Sequence, residues 1–107
     1  MKQFNEYNEK DLNKVVGEKR VMLFFTADWC SDCRFIKPRM PEVEAENSDF
    51  TWIEVDRDDN MDIARDLRIM GIPSFVAFDQ GKEIGRLVNK DRKTKEEVQA
   101  FIDTLPK

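Results

Sequence analysis

The residues of this chain best suited to carry chemistry are Cys30 and Cys33, the two cysteines of a 107-residue sequence. Two residues separate them, a spacing at which the second sulfur can reach the first and close a disulfide. A thiol at the start of a helix forms the thiolate more readily, and the thiolate is the nucleophile in thiol–disulfide exchange. The pair therefore indicates dithiol chemistry in which Cys30 attacks and Cys33 resolves the mixed disulfide.

A buried strand and a helix are predicted on either side of the cysteines. Residues 21–25 form a continuous apolar run of strand length, typical of a strand covered on both faces. A helix is predicted over about 33–46, and Pro38 is expected to kink it because proline removes a backbone donor. The cysteines then lie where a buried strand gives way to a helix, which is where α/β sheets expose reactive groups.

The remaining pattern predicts an α/β fold with a central mixed β-sheet flanked by helices on both faces, in one domain spanning 1–107. Further elements are a helix over 8–17, a strand over 50–55, a short helix over 61–67, an antiparallel hairpin over 74–88 and a final amphipathic helix from 94. In the first helix, Asn8 and Asp11 are expected to cap the start and Gly17 to end it. Thr94 and Glu97 have the spacing of a capping box.

Composition excludes several classes of function. A formal net charge of −4 with dispersed Lys and Arg argues against binding to nucleic acid. There is no apolar run of membrane-spanning length and no apolar segment at the N-terminus, so we expect a cytoplasmic protein that does not bind membranes. The absence of histidine excludes Ser-His-Asp and Cys-His catalysis and imidazole ligands. No G-x-G-x-x-G occurs, and we expect no bound cofactor and no metal.

Other interpretations of these residues are less favoured. A structural disulfide closing so short a loop would restrict the unfolded chain little, and the cytosol would keep it reduced. A closed zinc site needs four ligands, which this chain reaches only if a symmetric dimer pools two cysteine pairs. The acidic segment 56–62 lacks the Gly-centred loop and final Glu of a calcium-binding hand, so it is predicted to be a solvated turn. Four methionines are predicted to fill the core or its rim: Met22, Met40, Met61 and Met70.

The sequence resembles the thioredoxin family nearly end to end. The resemblance rests on the Trp-Cys-x-x-Cys segment at 29–33, Pro38, Asp56 after a strand, and Gly71-Ile72-Pro73-Ser74 before the hairpin. The Cys-Ser-Asp-Cys tetrapeptide is similar to that of thioredoxin-related proteins with Trp-Cys-x-Asp-Cys. The resemblance implies a monomeric thioredoxin-fold reductase of protein or small-molecule disulfides, supplied with electrons by a separate reductase or a low-molecular-weight thiol. The rival interpretation is a redox-sensing binding module of the same fold without efficient turnover.

The resemblance also implies roles for residues around the cysteines. Pro73 should follow a cis peptide bond facing the sulfurs, and the main chain at Ile72 should pair with an extended substrate segment. Trp29 is expected to be exposed for contact with the substrate. Ser31 and Asp32 are expected to modulate the thiols, since a carboxylate beside the sulfurs disfavours the thiolate.

Some positions depart from the family pattern. Phe24 stands where the family has a buried acid, and Trp52 where it has the accompanying lysine. Asp32, Asp28 or water is then left to take the proton from Cys33. Asn89 replaces a glycine of the substrate groove, and the segment 90–95 is longer than its family counterpart.

Overall fold

A computed structural model describes residues 1–8, 11–17 and 19–107. These residues form one five-stranded sheet with the strand order β1-β3-β2-β4-β5. The strands are β1 (Lys2–Gln3), β2 (Arg20–Thr26), β3 (Thr51–Asp56), β4 (Ser74–Asp79) and β5 (Lys82–Leu87). The strands β1, β3 and β2 are parallel, whereas β4 is antiparallel to both β2 and β5. The predicted mixed sheet is therefore confirmed.

Helices cover both faces of the sheet, as predicted. They are α1 (Leu12–Val16), α2 (Ser31–Ile36), α3 (Met40–Glu46), α4 (Met61–Asp66) and α5 (Lys95–Asp103). The predicted kink is present as a 3-10 turn over Lys37–Arg39, between α2 and α3. It contains Pro38, whose ring nitrogen cannot donate to the preceding turn.

Two apolar clusters explain the long hydrophobic run of β2. Alternate residues of this strand point to opposite faces. Val21, Leu23 and Phe25 pack with α1 and α4 in the cluster that also contains both cysteines. Met22 and Phe24 pack with α3 and α5 in the other cluster. Because β2 is covered on both sides, it gives the site a rigid base.

The first helix differs from its prediction. It begins at Leu12, and the carboxylate of Asp11 caps it by accepting a hydrogen bond from the amide of Asn13 at 3.0 Å. Asn8 does not cap it, and two residues of the predicted helix lie outside the described part of the chain. Gly17 ends α1 with a φ of 44°, a conformation that favours glycine. The short strand β1 was not predicted at all.

Two of the four methionines are not core residues. Met22 and Met40 are buried, but Met61 and Met70 are 48% and 75% exposed. Met61 begins α4 and Met70 lies in the segment before β4, and neither side chain fills the core. The capping box of Thr94 and Glu97 at the start of α5 is confirmed. Among the described residues, no helix is long and apolar enough to cross a membrane.

Candidate active site

The cysteines lie at the junction of β2 and α2. Cys30 is the residue that caps α2, and Cys33 lies in its first turn. They form a disulfide with a Cα–Cα distance of 5.2 Å, and the backbone amide of Cys33 donates a hydrogen bond to Cys30 Sγ at 3.1 Å. Cys33 is fully buried, whereas Cys30 keeps 5% of its surface exposed. Cys30 Sγ therefore lies nearer to solvent than Cys33 Sγ, and it accepts a hydrogen bond from a backbone amide in the first turn of α2.

The loop before β4 packs against Cys30. The peptide bond between Ile72 and Pro73 is cis, as the resemblance implied. The carbonyl oxygen of Ile72 lies 3.8 Å from Cys30 Sγ. The hydroxyl of Ser74 donates to the carbonyl oxygen of Gly71, which closes the loop on itself. Backbone groups of this loop are thus placed directly beside the sulfur that lies nearer to solvent.

Gly71 allows the loop that contains Asn89 and Lys90 to pack against the loop beside Cys30. A Cβ atom at this position would lie 2.5 Å from the carbonyl oxygen of Asn89 and 2.7 Å from the amide nitrogen of Lys90. Real Cβ atoms do not approach backbone atoms so closely, so only glycine allows this packing. The segment 89–93 therefore lies against the loop that borders Cys30.

Trp29 is 59% exposed and is held in place by its neighbours. Its indole nitrogen donates a hydrogen bond to Asp58 Oδ2 at 2.7 Å, and the guanidinium of Arg57 lies 5.1 Å from its ring centroid. The hydrogen bond from Trp29, with a smaller contribution from Arg57, lowers the pKa of the Asp58 carboxyl. The indole face is thereby presented to solvent in a fixed orientation.

A cleft of about 400 Å³ opens beside Cys30. It is lined by predicted site residues, namely Trp29, Ser31, Asp32 and Ile72, and by residues that the sequence did not single out for the site, namely Arg57, Met70 and Lys90. Pro73 and Cys33 are buried and do not line the cleft. The cleft is large enough for a few residues of a partner, and Cys30 is the cysteine that lines it.

Asp32 is paired with a residue from the segment before α5. Arg92 Nε lies 2.9 Å from Asp32 Oδ1, and the Arg92 guanidinium lies 4.4 Å from the ring centroid of the half-exposed Phe35. The segment is fixed by Lys93, which is buried and donates to the carbonyl oxygens of Asn89 and Asp91 and to Asn89 Oδ1. Burial lowers the pKa of the Lys93 ammonium.

The positions where the family pattern is broken are apolar in the structure. Phe24 is buried and stacks on Phe75 with 4.9 Å between ring centroids. The indole nitrogen of Trp52 donates to the carbonyl oxygen of Asn47 at 3.1 Å. Neither residue can take a proton from Cys33.

A carboxylate nevertheless lies beside Phe24 in the sheet. Glu54 is the Cα partner of Phe24 across β2 and β3, and its side chain is 12% exposed. Lys37 Nζ lies 2.8 Å from Glu54 Oε2, and the hydroxyl of Thr26 and the amide of Gln3 donate to the same carboxylate. From the sequence, the candidates were Asp32, Asp28 or water, and the carboxylate of Glu54 was missed. Strand alternation was the available signal, since it puts Glu54 on the same face as Trp52.

Among residues 1–8, 11–17 and 19–107, no group of three or more His, Cys, Asp or Glu side chains is arranged to hold a metal ion.

Comparison with known proteins agrees with the fold. The thioredoxin family model matches residues 3–104. The chain is 31% identical to the thioredoxin of Bos taurus over 94% of this chain and 93% of that protein. It is 32% identical to mitochondrial thioredoxin-2 of Schizosaccharomyces pombe, over 85% of this chain but only 65% of the length of that relative. The solved structure of the thioredoxin NaTrxh from Nicotiana alata has a TM-score of 0.81 and 25% identity over 99% of this chain and 92% of that one.

Proposed function

Because the chain belongs to the thioredoxin family, we propose that it reduces protein or small-molecule disulfides with Cys30 as nucleophile and Cys33 as resolving thiol. Thioredoxins are disulfide oxidoreductases, and this chain is a thiol–disulfide oxidoreductase. The observation that carries the assignment is the asymmetry of the pair. Cys30 borders the cleft and accepts a hydrogen bond from the Cys33 amide at 3.1 Å, whereas Cys33 is fully buried.

The proposed reaction begins with the reduced pair. The Cys30 thiolate attacks one sulfur of the substrate disulfide, that bond breaks, and the departing substrate sulfur takes up a proton. Cys33 then loses its proton and attacks Cys30 Sγ, which releases the second substrate thiol and forms the Cys30–Cys33 bond. Two electrons pass to the substrate. A separate reductase or a low-molecular-weight thiol returns them, so the chain itself needs no bound cofactor.

Residues around the cleft are proposed to hold the substrate. The main chain at Ile72 is a docking edge for an extended segment, because its carbonyl oxygen lies 3.8 Å from Cys30 Sγ. Pro73 shapes this edge, and the exposed ring of Trp29 supplies an apolar contact. Ser31 and Asp32 lie between the cysteines and modulate the Cys30 thiol.

The compartment and the oligomeric state belong to the same proposal. We place the protein in the cytoplasm, as a monomer, because all the residues assigned to the site come from one chain and a reducing compartment returns the pair to the dithiol. The relatives include a mitochondrial thioredoxin. Immunofluorescence of the tagged chain distinguishes the two compartments, and sizing of the purified protein distinguishes a monomer from a zinc-bridged dimer.

The reduction of insulin disulfides tests the assignment of the cysteines. Wild type should turn over with a reductant, Cys30→Ser should be inactive, and Cys33→Ser should stop after one attack with a persistent mixed disulfide on Cys30. Mass spectrometry of that adduct identifies the attacking sulfur. A folded wild-type protein that cycles between dithiol and disulfide but reduces no insulin would instead be a redox-sensing module.

A further inference from the structure

We propose that the cleft beside Cys30 selects disulfides that have an acidic residue next to the reacting cysteine, and that Lys90 recognises this carboxylate. The inference rests on the proposed reductase function and adds a substrate class to it. It is carried by the charges around the cleft and by the position of the segment 89–93.

Of the charged side chains that line the cleft, one cation is not paired with a carboxylate of any described residue. Asp32 is paired with Arg92 at 2.9 Å, and Asp58 with Arg57 at 3.1 Å. Lys90 lines the cleft, is exposed, and has no hydrogen-bond or ion-pair partner within the described part of the chain. This face is therefore locally positive although the chain as a whole has a net charge of −4.

Two further pairs of charges near the cleft do not change this balance. Asp91, next to Lys90 in the sequence, interacts electrostatically with the ammonium of Lys93. Asp28 and Arg34 are both exposed, and their charges are opposite. Arg34 Nη1 donates to the backbone carbonyl of Asp28 at 2.6 Å. The unpaired ammonium of Lys90 thus remains the feature that a substrate carboxylate would neutralise.

The backbone of Lys90 is held in place beside the position where we expect the substrate to bind. Its amide nitrogen would lie 2.7 Å from a Cβ atom on Gly71, so its backbone is in contact with the residue just before Ile72. Three hydrogen bonds from the buried Lys93 and the ion pair of Arg92 hold the same segment. A carboxylate close to a disulfide docked along Ile72 therefore comes within reach of the Lys90 ammonium, because the Lys90 backbone is held beside Gly71.

The test uses three peptides with the same disulfide, in which the residue after the reacting cysteine is Glu, Gln or Lys. For wild type, kcat/KM should be highest for the Glu peptide, lower for the Gln peptide and lowest for the Lys peptide. Each step should be about two- to five-fold, the range expected for one exposed ion pair. Lys90→Glu should reverse the order and Lys90→Gln should flatten it. Added salt should reduce the preference, because screening weakens exposed charges.

Lys82→Glu is the matched control, since it makes the same change in net charge. Lys82 is exposed and starts β5 opposite Asp79, at the end of the hairpin remote from Ser74 and the active-site loop. This variant should keep the wild-type order. Equal kcat/KM for the three peptides in wild type, or an unchanged order in a folded Lys90→Glu variant, would overturn the proposal. Absence of turnover with every peptide would instead contradict the reductase function on which it rests.

Discussion

Arg92 Nε lies 2.9 Å from Asp32 Oδ1, so a cation from the segment before α5 is paired with a carboxylate that lies between the two cysteines. Both side chains remain partly exposed, at 53% and 32%. The pair places opposite charges near Cys30 Sγ, and each charge acts on the thiolate with its own sign. Removing either partner alone should therefore shift the pKa of the Cys30 thiol, and the sign of the removed charge determines the direction.

Asp32→Asn should lower the pKa of the Cys30 thiol and raise the reduction potential. A unit charge at about 7 Å with an effective dielectric near 40 contributes roughly 1 kcal/mol. A more stable thiolate stabilises the reduced form, and this energy corresponds to about 20 mV for a two-electron couple. Thiolate absorbance against pH and redox equilibration with glutathione at fixed ionic strength measure the two quantities. If neither changes, Asp32 has a purely structural or partner-facing role.

Arg92→Ala should have the opposite effect. The uncompensated Asp32 carboxylate then raises the pKa of the Cys30 thiol, and the protein becomes a stronger reductant. In the variant that combines Asp32→Asn with Arg92→Ala, the Cys30 pKa and the reduction potential should both be close to the wild-type values, because both charges are gone. Arg39→Ala is a suitable control, since Arg39 lies beyond the C-terminal end of α2, whereas Cys30 caps its start. A shift of equal size in the control would mean that the effect is one of net charge alone.

The two thiols of the reduced protein should differ in reactivity. Cys30 borders the cleft and receives a backbone hydrogen bond, whereas Cys33 is fully buried. Iodoacetamide near neutral pH should therefore alkylate Cys30 first. Peptide mapping after short exposures gives the two rates, and denatured protein provides the reference in which burial no longer matters. Equal rates in the folded protein, or faster labelling of Cys33, would reverse the assigned roles.

Gly71→Ala should reduce both stability and activity. The new methyl group would meet the backbone of Asn89 and Lys90, which cannot rotate away, and overpacking of this kind costs about 1–3 kcal/mol. Since the same contact positions Ile72 beside Cys30, disulfide reduction should slow as well. Urea denaturation and the insulin assay measure the two effects.

Gly85→Ala is the matched control for this substitution. Gly85 lies on β5, away from the cleft, and a Cβ atom there would meet the flexible end of the Leu105 side chain. It should change stability without slowing the reaction of the folded protein. If Gly71→Ala behaved in the same way, the contact between the two loops would have no role in the site.

Several elements of the fold were predictable because their signals are local. The apolar run of β2, the kink at Pro38 and the capping box of Thr94 each depend on residues close together in sequence. β1 was missed because its two residues are too few to show a period.

The pairs that complete the site could not be predicted in the same way. Arg92 and Asp32 are 60 positions apart, and no local pattern relates them. The exposure of Met70 was missed for the related reason that residue type alone favours the interior. The placement of Lys37 against Glu54 depends on how the kinked α2–α3 segment lies over the sheet, which the sequence does not specify.

Lys93 and Lys95 should make opposite contributions to the pH dependence of stability. Burial lowers the pKa of Lys93, whereas hydrogen bonds to Glu42 and then Glu46 raise that of Lys95. For a lysine with a lowered pKa, the unfolded chain binds more protons, so stability rises with pH between the folded and unfolded pKa values. For one with a raised pKa, the contribution is complete below the unfolded value and is lost as pH rises through the folded value.

Lys93→Met should be less stable than wild type by about 1–3 kcal/mol at neutral pH, because three oxygen acceptors lose their donor. The difference in the free energy of unfolding should widen as pH rises toward the ordinary lysine value of about 10.4. For Lys95→Met the difference from wild type should narrow over the same range, since the wild-type ion pairs are lost there. Urea denaturation of the three proteins at several pH values measures both trends. Parallel curves for the two variants would show that burial of Lys93 has no part in the stability of the segment.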